Sequence, residues 1–99
     1  MLKCRTVVNI SEELKAAKAA KAAINALLTA RLSKVRATLT NANHAAILNL
    51  SSGGTLNEAR TNVRIALSNL LHGLPTQEKI DKAKFAIETW IKGLEAAKL

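Results

Sequence analysis

Aromatic residues are nearly absent from this chain. Of its 99 residues only Phe85 and Trp90 are aromatic, and there is no tyrosine. That removes the stacking platform on which single-stranded nucleic acids are usually held. It also thins the core, because much of the 48 % hydrophobic content is alanine, which favours helix but adds little burial. A core of that kind often gains its missing buried area from a partner subunit. The single cysteine, Cys4, excludes an internal disulfide and any multi-cysteine metal site. It is compatible with a cytoplasmic setting. No apolar run reaches the length of a membrane span. Residues 1–10 lack the apolar core and cleavage site of a signal peptide. A cytoplasmic protein with no membrane partner is therefore expected. Acid is scarce as well: 7 acidic against 15 basic residues give a formal charge of +8. No acid occurs between Leu14 and Asn57. So basic a balance points to a polyanionic partner (nucleic acid, nucleotide or a membrane surface), with a merely soluble basic surface as the plain alternative.

What is present is helical periodicity. Leu14, Ala17, Ile24, Leu28, Leu32, Val35 and Leu39 fall within an arc of about 80° at 100° per residue, the pattern of an amphipathic helix. It predicts a first helix over residues 11–40, with Asn9 or Ser11 as its cap and Glu12 and Glu13 at the positive end of its dipole. Continued in the same phase, Ile47 and Leu48 leave that stripe. The run Thr38–Asn43 is therefore read as a break, followed by a short helix over 43–50. Residues 1–10, partly β-branched, form an N-terminal arm that could pair as a strand only with another subunit.

Three of the four glycines and the only proline mark the remaining turns. Ser51–Gly54 is the first, and Thr55 to Glu58 reads as a capping box that opens a helix over 55–73. Leu56, Ala59, Val63, Ala66, Leu67, Leu70 and Leu74 make its stripe. His72-Gly73-Leu74-Pro75 stops it. Thr76 caps the last helix, over 76–97, whose inward face is Ile80, Ala83, Ile87, Trp90, Ile91 and Leu94. Its Glu78–Lys82 and Glu88–Lys92 pairs are worth a few tenths of a kcal/mol each. The expected fold is all-α: one domain, a small antiparallel bundle of three main helices plus a short one, assembled as an oligomer. Ile65 and Phe85 lie on the polar sides of their helices, and they favour a subunit interface.

Catalysis has little to work with. His44 and His72 are isolated, no zinc spacing or phosphate-binding loop is present, and a catalytic site needs convergent groups. No enzyme activity, metal or cofactor is expected. The candidate ligand-binding residues are Lys21, Arg60, Thr61 and Arg64. Lys21 falls inside the apolar stripe of the first helix. There it either lays its stem on the core and extends its ammonium outward, or holds an anion at the mouth of a groove. Arg60 and Arg64 stand one turn apart, and their guanidinium forks suit phosphate oxygens. Solvated arginines paired with nearby acids are the plain alternative.

The segment Leu56-Asn57-Glu58-Ala59-Arg60-Thr61-Asn62-Val63, continuing through Ala66 and Leu70 to Pro75, resembles the closing helix of a phage family. Its members are small helical proteins that sponge up cyclic oligonucleotide signals of bacterial anti-phage (CBASS) defence, and they assemble as oligomers. The resemblance covers about a fifth of the chain and rests on Ala59-Arg60-Thr61 with Leu56, Val63 and Leu70. It implies a non-enzymatic oligomer that binds a cyclic oligonucleotide. Two other functions fit the composition: a nucleic-acid-binding protein that contacts backbone phosphates, and a structural or adaptor bundle that binds an acidic protein.

Overall fold

Apolar residues spaced three and four apart generate every long element of the structure, a computed structural model that describes residues 10–29, 33–48, 50 and 54–98. The helices are α1 (Ile10–Ile24), the one-turn α2 (Ala26–Thr29), α3 (Ser33–Leu48), α4 (Gly54–Leu71) and α5 (Gln77–Lys98). No strand occurs among the described residues. Of the arm read over 1–10, residues 1–9, with Cys4, lie outside them, and Ile10 opens α1.

The four long helices close into a ring. α1 packs against α3 and α5, and α4 packs against the same two helices. At the centre stand Leu14, Ala17, Ala20 and Ile24 of α1, with Leu39, Ala42 and Ala46 of α3. α4 adds Ala59, Val63, Leu67 and Leu70, while α5 adds its whole predicted stripe, Ile80 through Leu94. The many alanines let backbones approach closely, and Trp90 supplies the largest fully buried side chain. The radius of gyration, 13.2 Å, matches the roughly 13 Å of a compact domain of this length.

The ends of the helices follow local chemistry. Thr76 caps α5 as expected, its Oγ1 accepting from Lys79 N at 3.2 Å. Leu71 O, the last carbonyl of α4, accepts from Arg36 Nη2 at 2.6 Å. A cation thereby meets the negative end of that helix.

Four boundaries differ from the sequence reading. The first helix ends at Ile24 and not at residue 40, with a turn at Asn25. α3 then runs unbroken through Asn41–Asn43, so the separate short helix over 43–50 does not form. The break lies some fifteen residues earlier, at the turn that follows α1, and the exposed Ile47 and Leu48 do not require one near Asn41. The phase carries across that break: at 100° per residue Leu39, Ala42 and Ala46 of α3 keep the angle of the α1 stripe and are buried, while Ile47 and Leu48 fall off it and stay exposed. α4 begins at Gly54, so Thr55 lies within its first turn and the capping residue falls outside the described residues. Leu74, expected in the α4 stripe, is 74 % exposed because the helix has ended before it.

Candidate functional site

Among the described residues, a charged cluster in the core is built from three helices. Glu13 belongs to the first turn of α1, beside buried Leu14, and its side chain points inward with it. Arg60 on α4 lies next to buried Ala59, and Trp90 is part of the buried face of α5. Arg60 grips the Glu13 carboxylate with two hydrogen bonds, Nε to Oε2 at 2.7 Å and Nη2 to Oε1 at 2.8 Å. Trp90 Nε1 donates to Oε2 from the third helix at 2.7 Å. Glu13 is 1 % exposed and Arg60 0 %. These three donors share one carboxylate acceptor in a site without water contact, and such charge-assisted bonds offset the cost of burying the ion pair.

This arrangement corrects the reading of Arg60 as a ligand-binding residue. Its fork is already closed on a carboxylate inside the core, and it presents nothing to a phosphate at the surface. The other three candidates do not converge on a common point either. Lys21 extends into solvent on α1 and stands 3.9 Å from Glu88 of α5. Thr61 Oγ1 bonds back to Asn57 O on its own helix at 2.9 Å. Arg64 is exposed on α4.

A different feature occupies the outer side of α4 and α5, an open groove of about 1030 Å³. Its floor is Ala59, Ala66 and Ala86, with Ile65 on one bank and Phe85 on the other. None of Lys21, Arg60, Thr61 and Arg64 lines it. Among the described residues no three His, Cys, Asp or Glu side chains converge as a metal site would require. No described helix is long and apolar enough to cross a membrane.

The Glu13 site was within reach of the periodicity. At 100° per residue Glu13 stands only about 20° outside the apolar stripe of its helix. No local signal joins it to Arg60, 47 residues away. The class defined by fold and site is a small helical bundle, all-α, with a basic surface and a satisfied ionic core. No protein-family model matches the chain, and no curated protein or solved structure matches it either.

Proposed function

We propose that this chain is a non-enzymatic, cytoplasmic helical bundle, antiparallel and oligomeric, that binds a phosphate-bearing partner across its basic surface. The observation behind this reading is where positive charge is left uncompensated. On α1, Lys18 and Lys21 stand opposite Glu95 and Glu88 of α5, at 3.6 and 3.9 Å. α3 contains no acid at all. Its exposed residues include Lys34, Arg36, Thr40, Asn41 and His44. At 100° per residue Lys34, Thr40, Asn41 and His44 share a face about 120° wide. Lysine, threonine and asparagine side chains are among the groups that hold the phosphates of a nucleic acid.

A strip of donors along a helix suits successive phosphates of a backbone. A small cyclic oligonucleotide calls instead for donors that converge, and the four residues first considered for it do not. The sponge is therefore the narrower reading, supported by the resemblance of residues 56–75 and by exposed Arg64. The test is fluorescence anisotropy with labelled duplex DNA at several salt concentrations, beside titrations with a cyclic dinucleotide and a cyclic trinucleotide. Backbone contacts predict a steep fall of affinity with salt, a slope of about −0.9 per phosphate neutralised. Lys34→Glu should weaken that binding and flatten the slope. Tight, salt-insensitive binding of a cyclic oligonucleotide would favour the sponge. No binding of any of these at low salt would overturn the phosphate reading and leave the acidic-protein adaptor.

A further inference from the structure

The α4–α5 groove brings together two of the large apolar residues that stand exposed among the described residues. Phe85, the only phenylalanine, is 72 % exposed, and Ile65 across the groove is 50 % exposed. One exposed apolar residue needs no explanation. Two facing each other over an alanine floor form a patch, and aromatic residues concentrate at the centres of protein interfaces.

The rim identifies the occupant. Glu78, Lys79, Asp81 and Lys82 line the same groove, two acids and two bases. On a chain of net charge +8, this patch is electrically neutral. A polyanion gains nothing from it, and an acidic protein gains no more. A second copy of a +8 chain is repelled nearly everywhere else, and here it is not. A two-fold interface brings one patch against itself, so that patch must carry both signs at once. Alternating acids and bases around an apolar centre meet that requirement. Glu78 and Lys82 pair with each other at 3.7 Å, but both are largely exposed, and so weak a bond exchanges readily for one across an interface.

We propose that the α4–α5 groove is the self-association face of this protein, a two-fold contact centred on Ile65 and Phe85 and framed by Glu78, Lys79, Asp81 and Lys82. The inference rests on the oligomeric part of the proposed function and is independent of its ligand. Sedimentation equilibrium of the full chain tests it. Wild type should show twice the 10.6 kDa chain mass. Phe85→Lys should raise the dissociation constant by about 30-fold or more, the effect of losing an interface anchor. Its circular dichroism melt should match that of wild type once wild type is diluted below its own dissociation constant, since the residue is exposed in the single chain.

Two charge variants make the test independent of apolar loss. An all-basic rim (Glu78→Lys, Asp81→Lys) and an all-acidic rim (Lys79→Glu, Lys82→Glu) should each fail to self-associate, and mixing them should restore a dimer. Wild type that stays monomeric would overturn both the oligomer and the face. A wild-type dimer indifferent to Phe85→Lys and to the rim changes would overturn the face alone.

Discussion

Arg60 Nε lies 2.7 Å from Glu13 Oε2 with both side chains at 0 % exposure, so an ion pair joins α1 to α4 inside the core. Trp90 Nε1 ties the same carboxylate to α5. Desolvating two charges is expensive, and their attraction offsets that cost only while both are present. Arg60→Met should therefore lower stability by about 3–5 kcal/mol, because it takes the guanidinium away from a buried carboxylate. Urea unfolding followed by circular dichroism measures it. Arg60→Lys should also be clearly destabilising, since an ammonium cannot reproduce the two-pronged contact. A shift within experimental error for Arg60→Met would mean that the pair does not form.

Removing both charges tests whether the pair acts as a unit. In the double variant Glu13→Leu, Arg60→Met no ion is left unpaired. The indole N–H of Trp90 then lacks its acceptor, a cost of about 1–3 kcal/mol. The double variant should thus be more stable than Arg60→Met alone. Losses that simply add would show two independent residues, contrary to the geometry.

The all-helical class and the inward faces of α4 and α5 were legible in the sequence because they depend on local spacing. Val63, Leu67 and Leu70 are buried as their period requires, and so is every member of the α5 stripe. The end of α1 was not legible. Leu28, Leu32, Val35 and Leu39 extend the α1 stripe across the turn at Asn25, so periodicity alone runs straight through a break that tertiary packing selects. Arg60 misled for a related reason. An arginine on the flank of an apolar stripe looks like a surface fork until a distant carboxylate is brought beside it, and that encounter is a property of the fold and not of any local window. Lys21 has an angle inside the apolar stripe of its helix, yet the residue is exposed, with its ammonium 3.9 Å from Glu88.

The cap of α5 offers a smaller effect. Thr76 Oγ1 accepts from Lys79 N, an N–H that has no acceptor within the helix. Thr76→Ala should lower stability by about 1 kcal/mol, whereas Thr76→Gly should cost only a few tenths. Thermal unfolding of the two variants side by side checks the order. Equal losses would argue that the hydroxyl bond contributes nothing.

Gly93 sits in the interior of α5, where glycine costs about 1 kcal/mol relative to alanine through backbone entropy. A Cβ added there would stand 3.1 Å from Leu56 Cδ2 and 3.8 Å from its Cγ. Comfortable carbon contacts lie at roughly 3.5–4 Å, so Leu56 must withdraw by a few tenths of an ångström. It can do so, because it is a half-buried side chain near the start of α4, packed on the edge of the core. The helix gain should exceed the cost of that small adjustment. Gly93→Ala should therefore be stabilising, by about 0.5 kcal/mol, or roughly 2–4 °C in Tm for a domain of this size. Gly93→Val should do the opposite. Its two γ-methyls overfill the same gap, and crowding of this sort costs about 1–3 kcal/mol. Calorimetry on the pair separates the two forces. Loss of stability in Gly93→Ala would show that Leu56 is held rigidly and that α4 and α5 are packed there to contact.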